Sequence, residues 1–71
     1  MERVYKNCTI RASREKALDG YDRVYLSAID NEDGYIIVEH PVEGDTMTVW
    51  EAMRILKEHV DNYREDKSQY L

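Results

Sequence analysis

Hydrophobic and polar positions change period three times along this chain, and each change marks an element. Residues 3–12 alternate: Val4, Cys8, Ile10 and Ala12 fall on one side, and Tyr5, Asn7, Thr9 and Arg11 on the other. With β-branched and aromatic residues at many of these places, period two predicts a strand. Lys6 interrupts its apolar side near the start, where a long stem can still reach solvent. Residues 13–19 read differently. Ser13 can cap a turn, helix formers follow, and Gly20 suits the left-handed position that ends one, so the segment predicts a short helix or an ordered wide loop.

Two further alternating runs, 22–30 and 35–42, predict a β-hairpin spanning 22–42. Val24, Leu26 and Ala28 alternate with Tyr25, Ser27 and Ile29; Ile36, Val38, His40 and Val42 alternate with Tyr35, Ile37 and Glu39. Gly34 fits the left-handed position that closes a three-residue loop, Glu32-Asp33-Gly34. In that register partner numbers sum to 66: Ala28 faces Val38, Leu26 faces His40, Val24 faces Val42, and Ile29 meets Ile37 on the other side. Pro41 has no N–H and belongs at a strand end or edge. After a polar connection, Thr48 and Glu51 form a capping box. Val49, Ala52, Met53, Leu56, Val60 and Tyr63 then recur at the spacing of one helical face. The prediction is a helix over 48–66 with a frayed tail at 67–71. The expected fold is one small α+β domain over 1–71, a three-stranded antiparallel sheet with a C-terminal helix packed on one face.

Length and charge sharpen this picture. A chain of 71 residues has room for one core, worth about 3–5 kcal/mol of net stability unless something staples it. One Cys rules out an internal disulfide framework and a Cys-based zinc site. The longest apolar run, Tyr35 to Val38, is far short of the ~20 residues that span a bilayer, and Met1 to Lys6 contain no apolar leader core. The expectation is a cytoplasmic protein stapled, if at all, by a partner chain. Residues 1–29 carry six basic residues and four acids, whereas residues 30–71 carry eleven acids and four basic residues, giving the chain its net −5. No Lys or Arg lies between Arg23 and Arg54. Asp30, Glu32, Asp33, Glu39, Glu43 and Asp45 occupy that stretch and form a candidate acidic surface suited to a basic, nucleic-acid-handling protein. The same acids repel phosphate, so direct nucleic-acid binding is disfavoured. Arg11, Arg14, Lys16 and Arg23 would have to support it, without an accompanying motif.

Residues with catalytic or metal-binding chemistry are few. His40 and His59 lack metal-ligand spacing and read as partly buried structural residues. Asp30 to Gly34 has a superficial calcium-loop look, but Gly34 is one place early and Pro41 stands where the bidentate acid belongs. Cys8 sits on an apolar strand side, where a thiol behaves as a small hydrophobe. No cofactor, metal or catalytic residue is expected, and an enzyme is disfavoured. A single helix covers a single sheet face, so the other face is the candidate interface: Tyr5, Tyr25, Ile29, Tyr35 and Ile37, with Thr9 among them. Whichever face the helix takes, the one left bare is apolar. Its partner would be another protein or a second copy, as a homo-oligomer.

The run Ile10-Arg11-Ala12-Ser13-Arg14-Glu15, then Ala17 to Asp22 and Tyr25, together with Leu56-Lys57-Glu58-His59-Val60-Asp61 inside the 48–61 helix, resembles small uncharacterised proteins carried by bacteriophages and prophages. The resemblance covers residues 10–61 and brings no site residue with it. It implies a context, an accessory or inhibitory protein contacting a host protein in the bacterial cytoplasm.

Overall fold

A computed structural model describes residues 1–16, 18–43 and 47–65. Among them the elements are β1 (Glu2–Tyr5), β2 (Cys8–Lys16), β3 (Asp22–Asp30), β4 (Ile36–Glu43) and α1 (Val49–Glu65). The strands form one antiparallel sheet in the order β1-β2-β3-β4, with α1 across one face, over β2 and β3 and reaching β4. The α+β architecture with a C-terminal helix is as expected, but the sheet has four strands where three were expected.

The extra strand arises at Lys6 and Asn7, which both adopt positive φ, 49° and 58°. Two central residues in that conformation make the type I′ turn that joins tightly hydrogen-bonded strands. The alternating run 3–12 is therefore a hairpin, with Tyr5 opposite Cys8 and Val4 opposite Thr9. Folding back on a two-residue loop exchanges the sides of Val4 and Tyr5. Val4 joins Thr9 on the bare face, and Tyr5 turns toward the helix.

Residues 13–16 continue β2, contrary to the short helix or wide loop expected there. Ser13 to Lys16 pair with Tyr25 to Asp22 in an unbroken ladder. Four cross-strand pairs outweigh the local preference of a segment too short to hold a helix alone. Gly20, at φ +88°, takes the left-handed position expected of it, but in the β2–β3 turn. There the Asp19 carboxylate accepts from the Tyr21 amide at 3.1 Å and pairs with Arg23 at 2.9 Å.

The β3–β4 hairpin differs from expectation by one residue. Asp30 donates its amide to the Tyr35 carbonyl at 2.9 Å, and its own carbonyl accepts from Gly34 at 2.8 Å. The loop is thus 31–34 and not 32–34, with Gly34 at φ +75° as foreseen. Ile29 then faces Ile36, and an irregularity after it restores the expected register, Ala28 to Val38, Leu26 to His40 and Val24 to Val42. The inserted residue is Ile37. It drops out of alternation into the core, 8% exposed, while Ile36 stays outside at 51%.

The core lies between α1 and the sheet: Cys8, Ile10 and Ala12 from β2, Val24, Leu26 and Ala28 from β3, Ile37 from β4, and Ala52, Met53, Leu56, Val60 and Tyr63 from α1. Large and small residues alternate across the strands, Ile10 beside Ala28 and Ala12 beside Leu26, which gives helix side chains hollows to fill. The helix starts where its capping box predicts, with Thr48 Oγ1 accepting from the Glu51 amide at 3.1 Å. Its expected apolar stripe is its buried face, Val49 being half-buried. His59 is half-buried as expected, whereas His40 is exposed. The expected tail at 67–71 lies outside the described residues.

Leu56 is fully buried and Trp50 is 70% exposed. Leu56→Ala is expected to cost about 2–5 kcal/mol, enough to leave a chain this small largely unfolded. Trp50→Ala should stay within about 0.5 kcal/mol of the parent. Urea titration followed by circular dichroism measures both.

Candidate interaction surface

The five residues expected to share the bare sheet face divide. Tyr25 and Ile29 remain there, 39% and 36% exposed. Tyr5, Tyr35 and Ile37 lie on the helix side. Tyr5 donates its hydroxyl to Asp61 Oδ1 at 2.8 Å, Tyr35 stacks on Tyr63 with ring centroids 5.7 Å apart, and Ile37 belongs to the core. The two-residue β1–β2 turn accounts for Tyr5, the longer β3–β4 loop for Tyr35 and the bulge for Ile37.

What the bare face presents follows from the register. One row across the four strands is Val4, Thr9, Ile29 and Ile36, with Val4 71% exposed. The next is Glu2, Arg11, Ser27 and Glu39; the third, Ser13, Tyr25 and Pro41; the last pairs Glu15 with Arg23. An apolar row at one end and a Tyr–Pro row further along therefore flank a row in which one Arg stands between acids. Between them lies a shallow depression of about 500 Å³, lined by Arg11, Ser13, Tyr25, Ser27, Glu39 and Pro41 among others.

The described members of the acidic stretch do not gather into one patch. Glu32 and Asp33 stand exposed on the β3–β4 loop, where Asp33 Oδ1 accepts from the Tyr35 amide at 2.9 Å. Glu39 lies on the bare face, and the Glu43 side chain and Asp45 lie outside the described residues. Asp30 is a correction: it is fully buried and so belongs to no surface.

Asp30 instead forms a polar knot at the end of the molecule that holds the β1–β2 and β3–β4 turns. Its Oδ2 accepts from the Tyr63 hydroxyl at 2.7 Å, and its Oδ1 from the Glu32 amide at 3.0 Å. The Arg64 guanidinium reaches the two oxygens at 3.3 and 3.4 Å. Arg64 also donates twice to the Lys6 carbonyl, at 2.9 and 3.1 Å, and once to Cys8 Sγ at 3.3 Å. The Asn31 amide donates to the Asn7 carbonyl at 3.0 Å, joining one turn to the other. The hydrogen bond from Tyr63, then that from the Glu32 amide and the charge of Arg64, hold the Asp30 carboxyl below the usual carboxylate range despite burial. Burial and the neighbouring Asp30 push the Tyr63 phenol up, and burial pushes the Cys8 thiol up. A protonated, enclosed thiol and a carboxylate engaged on both oxygens hold structure together and offer no approach to a substrate.

The sequence carried a signal for this knot. Asp30 is in phase with Val24, Leu26 and Ala28, so alternation places an acid on the core face, and Tyr63 is the one hydroxyl on the helix's apolar stripe. A charge in that position requires a donor, and Tyr63 supplies it.

Among the described residues no cluster of three or more His, Cys, Asp or Glu could hold a metal ion, and no helix is long and apolar enough to cross a membrane. No protein-family profile, curated protein or solved structure matches the chain.

The knot makes the stability of the fold depend on pH at both ends of the scale. Asp30 titrates below its unfolded value of about 3.9, so its stabilisation is complete above that pH and is lost as pH falls through the depressed folded value. Tyr63 titrates above its unfolded value of about 10, so its contribution is complete below that pH and is lost as pH rises toward the folded value. Tyr63→Phe removes the main cause of the Asp30 shift and is expected to move the acid-unfolding midpoint to higher pH, read by far-ultraviolet circular dichroism. An unmoved midpoint would show that Tyr63 does not hold the carboxylate.

Proposed function

We propose that this chain is a non-enzymatic protein-binding module that docks through the bare face of its sheet. The observation that carries the reading is a four-stranded sheet that, among the described residues, is covered by a helix on one side only. Its other side exposes Val4, Ile29 and Ile36 in one row and Tyr25 and Pro41 in another. Contiguous apolar groups rimmed by charge are the usual composition of an interface centre. Strands of nine residues make the face about 30 Å long and roughly 15–20 Å wide. Two such faces together approach the smaller specific interfaces, roughly 1,000–1,200 Å² in total. The resemblance to phage-borne proteins supplies the setting in which the partner is a host protein. Glu39 is the member of the acidic stretch that reaches this face.

A second copy of the chain is the alternative occupant, and one feature favours it. The described charges on the face nearly balance: Glu2, Glu15 and Glu39 stand against Arg11 and Arg23, in a chain whose net charge is −5. A two-fold axis through such a face can set Arg11 of one copy against an acid of the other. Burial between copies would also add stability that a core this small lacks.

Ile29→Glu tests both occupants, because a half-exposed strand residue tolerates the change at a cost of about 1 kcal/mol or less. Sedimentation velocity from micromolar to millimolar concentration is expected to show a dimer that the variant dissociates, if the partner is a second copy. If the parent is monomeric, proteins captured from bacterial lysate by the parent should be lost with the folded variant. Equal capture by both, from a monomeric parent, would refute the face as the docking surface.

A further inference from the structure

The two edges of the sheet are not equivalent. Along β4, Pro41 replaces an N–H donor, the usual guard of an exposed edge. Along β1 the backbone is open. Met1 and Ala12 exchange both backbone hydrogen bonds, at 2.7 and 2.9 Å, and pairing alternates along an antiparallel ladder. Arg3 and Tyr5 therefore bond inward to Ile10 and Cys8, and the N–H and C=O groups of Glu2 and Val4 point away from the sheet. Because α1 lies over β2 and β3, no described residue covers the flank between β1 and the helix. It holds a niche of about 160 Å³ lined by Met1, Arg3, Trp50, Met53, Arg54 and Lys57. Three of these six are cations and none is an acid. Among the described residues Arg54 makes a loose, exposed pair with Glu58 at 3.6 Å, and Lys57 lies over the Tyr5 ring at 5.7 Å. Trp50 stands beside them, 70% exposed. In a chain of net charge −5, a free strand edge next to a cationic, indole-walled niche is a local reversal of character.

We infer that the β1 edge and its flank form a site for an extended acidic segment of a partner protein, added to the sheet as a fifth strand. Its backbone bonds to the free N–H and C=O groups of Glu2 and Val4. Successive side chains of an added strand alternate between faces. Those on the helix side meet Arg3, Trp50, Arg54 and Lys57, which select carboxylates; those on the other side lie beside Val4, which selects aliphatic residues. The ligand is an alternating acidic–apolar strand. A second copy does not fit here, because a two-fold axis along β1 would set each niche's cations against the other's. The site meets the bare face only at Val4, and Ile29→Glu leaves its backbone edge and its niche intact.

Trp50 is the only tryptophan of the chain, so its emission reports directly on the niche. The full chain, labelled with nitrogen-15, is titrated with a capped peptide of alternating Asp and Val. The same peptide N-methylated at its bonding amides, and a single-stranded oligothymidylate, serve as comparisons. The expected result is a saturable change in Trp50 emission, with shifts of the Glu2 and Val4 amide signals. The N-methylated peptide should fail, and affinity should fall by about tenfold or more in the folded Arg3→Glu/Lys57→Glu variant. No saturable response at millimolar peptide would overturn the inference. Equal binding by the N-methylated peptide would overturn it too, as would a response to the oligonucleotide alone.

Discussion

The buried carboxylate of Asp30 is the constraint on which the rest of this structure depends. A charge enclosed in a small core is tolerated only when every lone pair is engaged, and removing a partner costs more than never having placed the charge. Here the donors come from two separate places in the chain. Tyr63 and Arg64 arrive from the last turns of the helix, and the Glu32 amide from the loop after β3. Because these donors sit at set places on the helix and the loop, the carboxylate fixes how far along the sheet the helix sits. Arg64 extends the constraint to the first hairpin by capping the carbonyl of Lys6, in a turn where neither residue at positive φ is a glycine. The helix, whose apolar stripe alone would permit sliding, is thereby locked to both turns.

That lock decides which surfaces are left for binding. With α1 held over β2 and β3, no described element covers the other face of the sheet, and among the described residues β1 lies at the sheet edge with nothing paired to its outer side. Tyr5 and Lys6 are drawn to the helix by Asp61, at 2.8 and 2.7 Å, and this leaves Arg3 and the niche around Trp50 as the exposed part of that flank. The two surfaces differ in chemistry. The bare face is apolar with balanced charges, and the β1 flank is cationic in an otherwise acidic chain.

Much of this was legible in the sequence because period-two and three-and-four spacings report burial directly. The helix, its cap and its buried stripe lie where the spacing puts them, and so does the β3–β4 register below the bulge. Where the reading of the turns failed, it failed by single residues. Lys6-Asn7 lacks the Asn-Gly signature of a tight turn, so a hairpin looked like one continuous strand, and Val4 and Tyr5 changed places. A four-residue loop in place of three turned Tyr35 inward, and the compensating bulge carried Ile37 after it. In a strand, a shift of one residue reverses every side chain. Small errors of turn geometry thus became large errors about which residues are available for binding. Pairing of 13–16 with β3 was hidden for another reason, since its local propensity favours helix and only the distant strand decides otherwise.

The central claim, that the Asp30 knot makes both turns part of the cooperative core, is tested most directly by native-state hydrogen exchange. Amides in surface turns ordinarily exchange through local fraying. The amides of Glu32 and Asn31, bonded to the Asp30 carboxylate and to the Asn7 carbonyl, should instead exchange only on global unfolding, with the same free energy as Ala28 in the centre of β3. Exchange of these two amides much faster than that of Ala28, and insensitive to denaturant, would contradict it.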